Sequence, residues 1–70
     1  MSERIPLDSS AIEAVTYEET KRTLLVEFRD GDSYLYSGVP KTIYRALLTA
    51  ESAGGFWNEV KDGFDYVKLD

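Results

Sequence analysis

The 70-residue chain contains neither cysteine nor histidine. Without cysteine there is no disulfide, and without either residue the zinc sites that often reinforce small folds have no ligands. The same absences remove the commonest general base and the strongest nucleophile at neutral pH, leaving carboxylates, hydroxyls and lysines for any chemistry. No serine sits in a nucleophile-elbow frame. Gly54-Gly55 lacks the lysine and hydroxyl residue that complete a phosphate-cradling loop. Asp30 and Asp32 flank Gly31 but lack the alternating ladder and closing glutamate of a calcium loop, so they read as turn residues, as do Glu18, Glu19, Asp62 and Asp65. Long apolar runs are missing too: Leu24-Leu25-Val26 and Ala46-Leu47-Leu48 fall far short of the roughly 20 residues of a membrane helix. The opening Met1-Ser2-Glu3-Arg4-Ile5-Pro6 has no positively charged segment followed by an apolar one, as a signal peptide would. These absences lead to the expectation of a non-enzymatic cytoplasmic domain with no cofactor, no metal and no membrane.

What is present is packing material. Apolar residues make up 43% of the chain and aromatics 13%, too rich a mixture for a disordered segment. A chain this short buries only about 60% of its unfolded surface, so one thin core must suffice. The net charge is −5. Residues 1–40 hold four bases against eight acids, and residues 41–70 four against five, so the acidity lies mainly in the first part. Broad tracking of a phosphate backbone is disfavoured by that balance.

Residues 1–8 lack periodicity and contain Pro6, which reads as an N-terminal arm before a single domain over 9–70. Residues 12–17 are β-branched and aromatic, the mark of a first strand. Leu24, Val26 and Phe28 alternate with Leu25, Glu27 and Arg29, the period of two of a half-buried strand. Asp30-Gly31 signals a hairpin, and Tyr34-Leu35-Tyr36 lies in the returning strand. A two-residue loop would pair Val26 with Leu35 and turn both tyrosines to the Leu25 face. A three-residue loop, with Gly31 in the left-handed position, would pair Val26 with Tyr34 and Leu24 with Tyr36. The longer loop gathers Leu24, Val26, Phe28, Tyr34 and Tyr36 on one face, as binary patterning requires. Pro40 opens a helix over 40–52, with Ile43, Leu47 and Ala50 as its apolar stripe and Gly54-Gly55 as its stop. Phe56 and Val60 suggest a short second helical turn, and Tyr66 to Leu69 a last strand. The expected class is α+β: an antiparallel sheet of about four strands, β-β-β-α-(α)-β, with one main helix on one face.

An ordered set of residues then resembles a known family. Ser9-Ser10, Tyr17-Glu18, Leu24-x-Val26-x-Phe28, Gly31, Tyr34-Leu35-Tyr36, Gly38-Val39-Pro40, Tyr44, Ala50-x-Ser52-x-Gly54, the segment 56–58 and Tyr66 are similar to the KTSC domain. Tyr34 and Tyr36 correspond to its central Tyr-x-Tyr. The family occurs alone or at the C-terminus of some lysyl-tRNA synthetases, and that association implies RNA binding as an alternative to a protein-interaction role. The acidity of this chain argues against RNA.

Lys41 and Arg45 stand one turn apart at the start of the main helix, where the dipole already concentrates positive potential. With Thr42 and Tyr44 they form a candidate spot for a phosphate or carboxylate of a partner, although two solvated side chains explain them as simply. Trp57 beside Gly54-Gly55 is either a stacking contact or core filling. The expected partner is a protein or a small anion, with RNA the alternative.

Overall fold

The computed structural model describes residues 2–69. Five strands form one antiparallel sheet in sequence order: β1 (Glu3–Pro6), β2 (Ile12–Glu18), β3 (Thr23–Phe28), β4 (Ser33–Ser37) and β5 (Asp65–Leu69). Between β4 and β5 the chain leaves the sheet to form α1 (Lys41–Thr49), α2 (Ala53–Val60) and one 3₁₀ turn (Lys61–Gly63). The α+β class stands, with five strands rather than about four. The additional strand is β1, inside the stretch expected to be an arm: it pairs Glu3 with Tyr17 and Ile5 with Val15. Four residues ending in proline carry no readable alternation, yet proline is tolerated on an edge strand, and Ile5 and Leu7 pack against the core. On the opposite face Arg4 bridges Glu27 at 2.9 Å and Glu13 at 3.4 Å.

The β3–β4 hairpin has the three-residue loop. Leu24 pairs with Tyr36 and Val26 with Tyr34. The Phe28 N–H donates to Asp32 O at 2.8 Å and the Gly31 N–H to Phe28 O at 3.1 Å, with Gly31 at φ 101°, a conformation open to glycine. That loop fixes the register, and the register puts Leu24, Val26, Phe28, Tyr34 and Tyr36 on the helix-covered face.

The helical segment departs from expectation in its punctuation. Pro40 caps α1 with extended backbone (φ −72°, ψ 153°), and the helix breaks at Ala50 rather than running to Ser52. Ser52 is instead the N-cap of α2, its Oγ accepting the Gly55 N–H at 3.1 Å. Gly54-Gly55 therefore opens a helix instead of stopping one. A Cβ on Gly54 would lie 2.8 Å from the Ala11 Cβ, so the glycine serves close approach of α2 to the sheet.

The core lies between this face and the helices: Ile12, Val15, Leu24 and Val26 from the strands meet Leu47 of α1 and Trp57 of α2. Tyr17 binds two layers together. Its hydroxyl donates to Val39 O at 2.7 Å in a buried hydrogen bond, and its ring stacks on Tyr44 with centroids 4.6 Å apart. Among the described residues the other sheet face carries no helix, and β5 is exposed along its whole length, with Tyr66 and Val67 each at 60%.

Candidate functional site

The spot expected at the start of α1 is only partly assembled. Lys41, Thr42 and Arg45 are exposed, but Lys41 Nζ lies 3.2 Å from Glu19 Oε1, which offsets its charge. The Tyr44 ring is occupied by Tyr17. Burial pushes the Tyr44 phenol up, with the Glu3 carboxylate adding to it. Trp57 is not a surface contact: it is 1% exposed, edge-on to Tyr36 at 4.8 Å and stacked on Phe64 at 5.9 Å. It sits on the inward side of α2, where a thin core needs its largest side chain. The Trp57 indole nitrogen is buried and has no hydrogen-bond partner among the described residues.

A second arrangement, which sequence reasoning did not assemble, lies where β4, β5 and the 3₁₀ turn meet. The β4–β5 register sets Tyr66 opposite Tyr36 and Lys68 opposite Tyr34. The Tyr34 ring then meets Phe28 edge-on at 5.7 Å and Tyr66 edge-on at 5.6 Å, while Tyr36 and Tyr66 lie 5.9 Å apart. These four rings floor a cleft of about 300 Å³, at the lower end of ligand-site volumes. Asp30 and Asp32 come to its wall from the hairpin loop, and Lys61 and Asp62 from the 3₁₀ turn. The Asp30 carboxylate accepts the Asp32 N–H at 2.9 Å, closing the loop on itself. Lys68 Nζ approaches Asp32 Oδ2 at 3.7 Å, both side chains about half exposed.

Exposure grades across the floor. Tyr36 is 4% exposed, Tyr34 is half-buried and Tyr66 is 60% exposed. Burial pushes the Tyr36 phenol up. The site thus keeps an un-ionised Tyr36 at its base. Convergent rings and hydroxyls with carboxylates at the mouth suit binding. Among the described residues no group of three acidic, histidine or cysteine side chains is placed to hold a metal ion. No helix among them is long and apolar enough to cross a membrane.

Of the residues singled out from sequence, Tyr34 and Tyr36 belong to the cleft, and Lys41, Thr42, Tyr44 and Arg45 share α1 with no part in it. Phe28, Lys61, Asp62 and Tyr66 were missed as members. The available signal was the shared face of Tyr34 and Tyr36 together with a tyrosine in a closing strand, but only the β4–β5 pairing joins them.

Comparison with known proteins gives a consistent result. The model of the KTSC domain matches residues 8–64. A protein of Tsukamurella paurometabola is 45% identical over 65 residues, covering 91% of this chain and 97% of its own length. A lysine–tRNA ligase of Nostoc is 38% identical over 63 residues; the match spans 89% of this chain but 11% of the ligase. The crystal structure of a KTSC domain protein from Yersinia pestis superposes with a TM-score of 0.91 at 33% identity, covering all of both chains. Strands β1 and β5 lie outside the residues that the family model matches, whereas the solved structure extends across them.

Proposed function

The chain belongs to the KTSC domain family, and from that premise we propose that it is a non-enzymatic interaction module that engages a partner protein through the cleft floored by Tyr34, Tyr36 and Tyr66. The observation that carries this reading is Tyr66. A large aromatic ring 60% exposed, held edge-on against Tyr34 over a concave wall, is poised to bury further apolar surface on binding. The absence of histidine and cysteine supports a binding role over a catalytic one.

RNA is the second reading, favoured by the ligases of Nostoc and Trichormus variabilis that carry a similar segment and by rings able to stack bases. The −5 charge and the three carboxylates of the cleft oppose it. Photo-cross-linking in cells separates the two. A benzophenone amino acid at position 66, with position 45 as comparison, is expected to give protein adducts at 66 that a Tyr34→Ala change removes. Adducts to RNA alone, or adducts arising only from position 45, would refute the protein-binding cleft.

A further inference from the structure

The lining of the cleft carries more negative than positive charge. Asp30, Asp32 and Asp62 contribute three carboxylates to its walls against the single ammonium of Lys61. Lys68 reaches Asp32 at 3.7 Å, but both groups are about half exposed, and such pairs are weak enough to yield to a competing cation. Aromatic rings, whose faces carry negative potential, line the same cleft. Tyr34 and Tyr66 meet edge-to-face at 5.6 Å with an interplanar angle of 64°, and both rings line the cleft. The carboxylates and the ring faces alike attract positive charge.

Building on the reading of this cleft as the binding site, we propose that its occupant is a basic side chain of the partner protein, an arginine guanidinium or a lysine ammonium, seated against the Tyr34 and Tyr66 rings between the carboxylates of Asp30 and Asp62. A neutral apolar side chain would strip water from those carboxylates without replacing its hydrogen bonds. An acidic one would meet three carboxylates against one ammonium. A guanidinium satisfies rings and carboxylates together, with its plane against a ring and its N–H groups donating to a carboxylate. The volume of about 300 Å³ has room for one such side chain.

The test is a titration of the isotopically labelled full chain with N-acetyl-arginine amide and N-acetyl-lysine amide, against the neutral isostere N-acetyl-citrulline amide and the acidic N-acetyl-glutamate amide. The cationic probes are expected to shift amide resonances of residues 30–36 and 62–66. Citrulline should bind about fivefold more weakly than arginine, the loss of a cation–π contact at a partly exposed site. Joint Asp30→Asn and Asp62→Asn changes should weaken arginine binding by a similar factor, and asparagine can still accept the Asp32 N–H that orders the loop. Equal affinity for arginine and citrulline would overturn the inference while leaving the cleft as a binding site. Preference for glutamate, or no shift in the cleft with any probe, would overturn it as well, and the cross-links from position 66 decide the cleft reading on their own. Because the isostere comparison uses the unaltered chain, it holds even where the doubly substituted variant fails to fold.

Discussion

Replacing Tyr17 by phenylalanine isolates one buried hydrogen bond on which the junction between sheet and helices depends. The Tyr17 hydroxyl donates to Val39 O at 2.7 Å, and Val39 is fully buried. Val39 is also held through its N–H, which donates to Arg22 O at 2.9 Å, so the segment leading into α1 cannot shift easily to find another donor. Phenylalanine keeps the ring and its stacking on Tyr44. What is lost is the net hydrogen bond, with a carbonyl left dry, together costing about 2 kcal/mol. For a domain of this size that lowers Tm by roughly 10 °C. Urea unfolding followed by fluorescence of the single tryptophan, Trp57, reads the change directly, because that ring is 1% exposed when folded. The slope with urea should match the parent's, since no surface is newly exposed. Tyr44→Phe, which leaves the Tyr17 bond intact, should stay within about 0.5 kcal/mol of the parent. A Tyr17→Phe loss below about 0.5 kcal/mol would show that the carbonyl finds water or another donor, and the reasoning would fail.

Truncating the two motif tyrosines separates depth from face: Tyr36→Ala is expected to cost about 3 to 5 kcal/mol and the half-buried Tyr34→Ala about 1 to 2, with equal losses in urea unfolding counting against the graded cleft. Gly54→Ala should destabilise by about 1 to 3 kcal/mol because its Cβ meets the Ala11 Cβ at 2.8 Å, whereas Gly63→Ala, with open space, should fall within about 0.5; thermal melts of the pair that agree would show that α2 can simply slide away. Alkaline stability follows from Tyr36, whose phenol is raised by burial above the value near 10 of the unfolded chain. The unfolded state then loses its proton first, so stability present below pH 10 declines as pH climbs toward the folded value, and Tyr36→Phe should decline less between about pH 9.5 and 11 in the same unfolding assay.

Local rules reached as far as local pairing. Leu24-x-Val26-x-Phe28, Asp30-Gly31 and Tyr34-x-Tyr36 are neighbours in sequence, so the hairpin loop alone decides which face they share, and binary patterning selects the loop. Strand β1 escaped because four residues ending in Pro6 carry too little alternation to distinguish an edge strand from an arm. Gly54-Gly55 was misplaced because two glycines after a helical stretch ordinarily mark its end. The demand for Gly54 comes from Ala11, distant in sequence, and no local rule registers that contact. Trp57 was ambiguous for a related reason: its depth depends on how closely α2 approaches the sheet.

The cleft shows the same division between face and depth. One run of aromatic contacts passes from Phe64 through Trp57, Tyr36 and Tyr66 to Tyr34 and Phe28. At the Trp57 end it is core, and at the Tyr66 end it is the floor of an open site. Where α2 gives way to the 3₁₀ turn determines which rings are which: Tyr36 lies under Trp57, while Tyr34 and Tyr66 lie beyond that cover. Period two assigns all the β4 tyrosines to one face but is silent about the reach of the helix above them. A Tyr-x-Tyr pair in this fold therefore has two unequal members. Tyr36 holds the thin core of a chain with no disulfide to reinforce it, and Tyr34 is held half-buried at the cleft by Tyr36 and Phe28.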